Sequence, residues 1–271
     1  MANIQIPIPE NPNDVLSQMS AFINLVSILR RECPWDKKQT NKTIAHLLIE
    51  EAYETLEAIE NEDDEEFAKE LGDLLLHIVM HSIMAEERGA FSLITVISKI
   101  HSKMVNRHPH VFGEVVVKDE NDVMQNWEQL KKNEGKKSAL EGVPNNLPAL
   151  LRAERIQFKA SRVGFDWDKK EDVWDKVEEE MQELKEEIFA TERNQNRINE
   201  EFGDLFFALV NSARFENVIS EEVTQRANKK FTNRFQFIEE KAKEIGKEMK
   251  DMTLGEMDEY WNEAKKMGIN S

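Results

Sequence analysis

The sequence predicts an all-α protein made of two similar helical domains. Apolar residues recur three and four positions apart along most of the chain, which is the spacing of one face of a helix, and no stretch alternates as a strand does. Only ten glycines and seven prolines occur in 271 residues, which suits long helices. The same pattern of acidic residues also occurs twice, once in each half of the chain.

The first half of the chain predicts four helices separated by polar turns. Asp14 is a suitable N-cap for the first helix, and Pro34 ends it because proline cannot continue a helix. From their apolar spacing, the second, third and fourth helices are expected at about 42–60, 66–88 and 91–107.

The second half follows a segment with glycine, proline and little periodicity, which predicts a linker at residues 133–147. We therefore expect an N-terminal domain at 14–132 and a C-terminal domain at 148–268. The C-terminal helices are expected at about 148–160, 171–190, 197–215, 220–244 and 253–267.

The charge balance limits the possible partners. A formal net charge of −17 argues against nucleic acid and against an anionic membrane, while a small anionic substrate held through a metal stays compatible. No apolar run reaches the roughly 18 residues that span a bilayer. The lone cysteine, Cys33, cannot form an internal disulfide, and the N-terminus does not resemble a signal peptide, so a cytoplasmic protein is expected.

The repeated acidic pattern reads EExxE, a gap, and then ExGD. Positions i and i+3 lie on one face of a helix, so each half offers two carboxylate pairs on successive helices. Four carboxylates between two helices repel each other unless a hard cation lies among them, and carboxylate-only ligands favour Mg²⁺, with Mn²⁺ as a possible substitute. The acids are Glu180, Glu183, Glu201 and Asp204 in the second copy and Glu51, Glu54, Glu70 and Asp73 in the first.

An exposed charged helix face is the alternative explanation for either copy alone. Two features favour the metal site. Gly72 and Gly203 interrupt the ExGD helices, where glycine costs about 1 kcal/mol relative to alanine, so close contact with a neighbouring helix is expected. Apolar runs after each ExGD also predict that these helices belong to the core, where unpaired acids are costly.

Basic and aromatic residues repeat in the same order as the acids. Lys230 and Arg234 lie one turn apart and can hold phosphate oxygens, and Trp261 can stack on a base. The matching residues in the first half are Lys103, Arg107 and Trp127.

Two other classes of protein stay open at this point. His77 follows Asp73 by one turn, which is compatible with a di-iron carboxylate protein. The second copy has Ala208 at that position and neither acidic helix contains Glu-x-x-His, so a packed His77 is the preferred interpretation. A helical regulatory module that docks partners on its acidic faces is the non-enzyme alternative.

These motifs together resemble the MazG nucleoside triphosphate pyrophosphohydrolases. The resemblance rests on EExxE followed by ExGD, with CPWDKKQT, RHPHVF, VGFDW and NKKFTNRF, and it extends over nearly the whole chain. It implies an all-α fold with four-helix-bundle-type sites and a homodimer whose subunits complete these bundles. It also implies Mg²⁺-dependent hydrolysis of NTPs and dNTPs, ATP among them, to monophosphate and pyrophosphate. The implied role is nucleotide-pool cleaning or nucleotide control under starvation.

The resemblance also assigns roles to residues of the second copy. Glu180, Glu183, Glu201 and Asp204 are the implied metal ligands. The implied nucleotide contacts are Lys176, Glu179, Lys230, Arg234 and Trp261, with Arg197 and Glu200 as further candidates. Glu179 or Glu200 is the expected general base. The first copy has Leu47 in place of Lys176 and Lys69 in place of Glu200, so the C-terminal domain is expected to be catalytic.

Overall fold

A computed structural model describes residues 4–119, 122–123, 126 and 138–269. These residues contain ten α-helices and two short 3-10 turns but no β-strand, which confirms the all-α prediction. The chain divides into two compact units, one ending at Val123 and the other taking the remainder. None of the helices described is long and apolar enough to cross a membrane.

Five helices are described in the first unit, which is organised around an α2–α3 hairpin. As predicted, Asp14 caps the first helix by accepting a 2.8 Å hydrogen bond from the Ser17 amide. The second helix begins later than predicted, because residues 41–46 form turns. The helices are α1 (Val15–Glu32), α2 (Leu47–Glu60), α3 (Asp64–Glu87), α4 (Leu93–Arg107) and α5 (Pro109–Phe112).

The second unit contains the five helices expected for it. They are α6 (Ala149–Ser161), α7 (Lys170–Phe189), α8 (Gln195–Phe215), α9 (Ser220–Glu244) and α10 (Leu254–Lys266). Residues 190–194 join α7 to α8, and the Asn194 side chain accepts hydrogen bonds from the first amides of α8. Of the predicted linker, residues 133–137 lie outside the described part of the chain, as does Trp127, and residues 138–147 contain no helix.

Each unit has its own buried apolar residues. In the first, α1 and α3 bury Val26, Val79 and Met84 together with Ile44. In the second, Ile238 and Ala242 of α9 pack with Met252 in front of α10. The α7–α8 hairpin buries Val173 and Val177 on one helix and Ile198, Ala208 and Val210 on the other.

One expectation about the ExGD helices is wrong for a single chain. A Cβ added at Gly72 or Gly203 would meet nothing within 4 Å, so neither glycine marks a close helix contact. Both helices contribute buried residues to the core, as expected, but one apolar stripe of each helix faces outward. The outward residues include Leu71 and Ile78 on α3 and Phe202 and Phe206 on α8.

Candidate metal centres

The α7–α8 hairpin brings three of the four predicted acids of the second copy together. One carboxylate oxygen each from Glu180, Glu201 and Asp204 lies within 4.8 Å of the others. Glu180 is only 6% exposed, Glu201 is half-buried and Asp204 is exposed, so the cluster opens to one side. Glu183 is one turn further along α7, is exposed, and does not belong to this close group.

The electrostatics of this cluster favour a bound cation. Burial raises the pKa of Glu201, and the negative charges of Glu183, Asp204 and Glu180 raise it further. Glu183 has the largest charge effect, which places its carboxylate near the cluster although outside the closest contacts. A raised carboxyl pKa means that the charged form is destabilised, which a divalent cation among the oxygens would reverse.

Lys176 lies at this cluster. Its Nζ is 2.7 Å from Oε1 of Glu179 and 2.7 Å from Oε1 of Glu180. The hydrogen bonds to these two carboxylates raise the pKa of Lys176, so the side chain carries a full positive charge. One ammonium group does not neutralise the acids around it, and the cluster keeps a net negative charge.

A cavity of about 400 Å³ adjoins these acids. Its charged lining residues are Glu180, Asp204 and Lys176 together with Asp166 and Arg214, and the rest is largely apolar. This size and composition are typical of sites for small organic ligands. Its apolar and uncharged lining includes Ile156, Gln157, Ala160, Phe165, Trp167, Val173, Phe207, Ala208 and Asn211.

Sequence reasoning missed most of this lining. Gln157 of α6 is buried and donates a 2.8 Å hydrogen bond to the carbonyl oxygen of Phe207, and nothing in the α6 sequence indicates that role. Arg214 holds Asp166 in an ion pair, with Nη1 3.0 Å from Oδ2, and so fixes the loop before α7. Trp167, whose role the sequence left undecided, lines the cavity beside these residues.

The other predicted nucleotide contacts do not reach this cavity within one chain. Arg234 is buried between α9 and the C-terminal segment, where its Nε donates a 3.0 Å hydrogen bond to the Ile269 carbonyl. Its guanidinium lies 5.4 Å from the ring centre of Trp261. Lys230 and Glu200 are exposed, and Arg197 pairs with Glu187 at 2.9 Å. None of these residues is among those described as lining the cavity.

The α2–α3 hairpin builds a similar cluster in the first unit. Oxygens of Glu51, Glu70 and Asp73 lie within 4.8 Å of each other, and Glu54 is outside this group as its counterpart Glu183 is. Burial raises the pKa of Glu51, and the negative charges of Asp73, Glu54 and Glu70 raise it further. The arrangement of acids is therefore common to both halves and fits a divalent cation in each.

The surroundings of the first cluster differ from those of the second. Lys69 lies 3.1 Å from Oε1 of Glu70, and this hydrogen bond lowers the pKa of Glu70. His77 places Nε2 3.7 Å from Oε1 of Glu51. Burial lowers the pKa of this imidazole, which favours its neutral form. Leu47 stands where the second copy has Lys176, so no ammonium group occupies that position.

The fold and the two carboxylate clusters define a tandem all-α protein with a pair of acidic helical hairpins whose geometry fits a cation. The family model for the MazG nucleotide pyrophosphohydrolase domain matches this chain twice, at residues 39–112 and 169–237, and the chain belongs to that family. The family predicted from the sequence is thereby confirmed, and so is the class of enzyme, a hydrolase acting on acid anhydrides.

Three relatives show how far the similarity extends. The nucleoside triphosphate pyrophosphohydrolase of Escherichia coli (strain K12) is 39% identical over 94% of this chain and 100% of its own length. The nucleoside triphosphate pyrophosphohydrolase/pyrophosphatase MazG of Thermotoga maritima is 42% identical over 90% of this chain and 95% of its own. The YabN protein of Bacillus subtilis (strain 168) is 47% identical, and the match covers 98% of this chain but only 55% of YabN.

Proposed function

We propose that this protein is a Mg²⁺-dependent nucleoside triphosphate pyrophosphohydrolase that converts NTPs and dNTPs to monophosphate and pyrophosphate. The observation that carries the proposal is the cluster of Glu180, Glu201 and Asp204, of which Glu180 and Asp204 line a cavity large enough for a nucleoside. The names of the Escherichia coli and Thermotoga maritima relatives support the same reaction.

The metal ligands in this proposal are the acids of the second copy. Glu180, Glu201 and Asp204 bind the ion directly, and Glu183 completes the set after a change of side-chain rotamer or through a water. Because all ligands are carboxylates, Mg²⁺ is the favoured ion and Mn²⁺ the substitute. When bound, such an ion neutralises phosphate oxygens and orients the attacking water.

The reaction needs a carboxylate that positions the water and takes its proton. Glu179 and Glu200 are the two candidates, and Lys176 connects Glu179 to the cluster by its two short ion pairs. The water oxygen forms a bond to the α-phosphorus, and the bond from that phosphorus to the bridging oxygen breaks. Pyrophosphate leaves with the bonding electrons. We propose that Lys230 and Arg234 stabilise its negative charge.

A homodimer is part of the proposal. Phe202, Phe206 and Leu209 recur at the spacing of one helical stripe and are 40%, 55% and 40% exposed. The matching positions of α3 include Leu71 and Ile78, which are also exposed. Each of the helices α3 and α8 thus exposes an apolar stripe to solvent. These stripes support a dimer in which they are buried against a second copy of the chain. Arg197, Lys230, Arg234 and Trp261 are then proposed to complete the nucleotide site in the dimer.

We assign catalysis to the C-terminal unit. The first cluster lacks a counterpart of Lys176, the lysine that pairs with Glu179 and Glu180 in the second. It also lacks a counterpart of Glu200, because Lys69 stands at that position. The proposed setting is the cytoplasm, which agrees with the free thiol of Cys33. The proposed role is nucleotide-pool cleaning or stress-linked nucleotide control.

The test is product analysis with the pure protein, Mg²⁺ and a panel of NTPs and dNTPs. We expect monophosphate and pyrophosphate, with turnover abolished by EDTA and lowered about 10²–10³-fold by Glu180→Gln. Glu51→Gln is the matched control and should retain most of the activity. Diphosphate and phosphate as products would contradict attack at the α-phosphorus, and no turnover with any nucleotide would favour a regulatory binding module.

A further inference from the structure

The cluster of the first unit contains a buried polar atom that nothing in the described chain satisfies. The side chain of Glu70 is only 2% exposed, and its Oε2 has no hydrogen-bond partner among the described residues. Because a buried polar atom without a partner is costly, this oxygen indicates that something is missing from the cluster. His77, which is 7% exposed, is buried beside it.

The distance from His77 to the acids is that of ligands sharing an ion. Nε2 of His77 lies 3.7 Å from Oε1 of Glu51, which is too long for a hydrogen bond. Two ligands about 2.1 Å from one ion, at tetrahedral angles, lie roughly 3.4 Å apart. A small movement of the imidazole is therefore enough to place its nitrogen and the Glu51 oxygen on the same ion.

A protein cation does not already fill this position. Lys69 reaches Glu70 only at Oε1, and its own side chain is 61% exposed, so the ammonium lies at the rim. The carboxylates of Glu51, Glu70 and Asp73 are left facing like charges. The cluster thus has the charge and the unsatisfied oxygens that a buried ion requires.

We propose that Glu51, Glu70, Asp73 and His77 form a mixed oxygen and nitrogen site, the first-unit site, that binds a divalent transition-metal ion in preference to Mg²⁺. Imidazole nitrogen suits ions such as Zn²⁺ and Co²⁺ and contributes little to Mg²⁺ binding. The second copy has Ala208 where the first has His77, so its oxygen-only cluster keeps the preference for a hard ion. The two copies therefore differ in the class of metal that they bind.

This metal is structural, because it joins α2 to α3 in the unit to which we do not assign catalysis. Its ligands come from both helices of the hairpin, so the bound ion stabilises their packing. The proposal does not depend on nucleotide hydrolysis. If the protein did not hydrolyse nucleotides, the metal-site proposal would be unaffected, and the proposed hydrolysis is likewise independent of the metal site.

The test is a titration of chelator-treated full-length protein with Co²⁺ in millimolar Mg²⁺, followed by visible absorption. We expect one Co²⁺ to bind with a ligand-field band, while Mg²⁺ occupies the second cluster. His77→Ala, which copies the residue of the second unit, should weaken Co²⁺ binding at least about tenfold. Glu180→Gln is the control on the other cluster and should leave the Co²⁺ band and affinity unchanged.

Three results would overturn the proposal. One is that no Co²⁺ is retained against Mg²⁺, and another is that the His77→Ala protein binds Co²⁺ as the original chain does. The third is that Glu180→Gln removes the band, because the ion would then lie in the second unit. If the His77→Ala protein does not fold, Co²⁺ affinity is measured on His77→Gln instead, after far-UV circular dichroism has shown that this variant is folded. The Co²⁺-induced rise in Tm should shrink in either His77 variant.

Discussion

Glu180→Gln is the substitution expected to damage catalysis most specifically. Glu180 is one of three carboxylates whose oxygens lie within 4.8 Å of each other, and it is the most buried of them. The amide keeps the shape of the side chain but removes the charge at the metal position and one of the two ion pairs of Lys176. Water cannot readily replace a ligand in so buried a position.

The magnitude follows from the role of the charge. Loss of one group that stabilises charge in a transition state typically costs about 10²–10³ in kcat. This range corresponds to about 3–4 kcal/mol of barrier. We expect the loss mainly in kcat, because the stabilisation of phosphate charge is greatest in the transition state.

The assay is steady-state release of pyrophosphate, with circular dichroism to show that the variant is folded. Glu51→Gln makes the same change in the first unit and should lower kcat by less than about threefold, since it lies outside the catalytic hairpin. If Glu180→Gln keeps near-normal turnover, the metal assignment is refuted. If both variants lose activity equally, the assignment of catalysis to the second unit is refuted.

Four further predictions concern charge and capping. Glu201→Gln should raise the Tm of the metal-free protein at pH 7 and abolish the further rise that Mg²⁺ produces, because the raised pKa of Glu201 shows that its charge is destabilised without a cation. Mg²⁺ affinity, measured by calorimetry, should fall with decreasing pH at values above the ordinary carboxyl range, since the raised pKa lets protons compete for Glu201. Glu183→Gln should move that fall to lower pH, and an unchanged profile would contradict the proposed charge coupling. Thr253→Ala should lower the free energy of unfolding by about 1 kcal/mol in urea denaturation, because the Thr253 hydroxyl caps α10 together with Glu256.

The helices and the acidic hairpins follow from local patterns. Apolar spacing, N-caps such as Asp14 and short polar turns act within a few residues, so helix ends were predicted closely in the second half. The duplication placed the same acids on consecutive helices in each half. That juxtaposition needs only a short connection between the helices, as at residues 190–194.

The exact composition of each cluster does not follow from spacing alone. Residues i and i+3 of a helix differ by about 60° around the axis, so two acids of one pair need not point at the same centre. Glu180 lies in the close group and Glu183 does not, although both were predicted. The direction of a whole helix relative to its neighbour decides this, and that depends on long-range packing.

The cavity lining and the fate of His77 also depend on long-range packing. Gln157 comes from a helix whose sequence shows only amphipathic periodicity, and it reaches the cavity because α6 packs on α8. His77 was expected to be packed, and it is buried. Its position beside Glu51 arises from the angle between α2 and α3, which the sequence does not show. The expectation of a close helix contact at Gly72 and Gly203 failed for the same reason, since both glycines face open space in a single chain.

The most direct test of the central claim is hydrolysis of an NTP in ¹⁸O-labelled water, with Mg²⁺ and mass spectrometry of both products. Attack at the α-phosphorus places the water oxygen on that atom, so we predict one ¹⁸O atom in the monophosphate and none in the pyrophosphate. Label in the pyrophosphate would mean attack at the β-phosphorus. Label in free phosphate beside a diphosphate would mean attack at the γ-phosphorus, and either result would contradict the mechanism assigned to the second cluster.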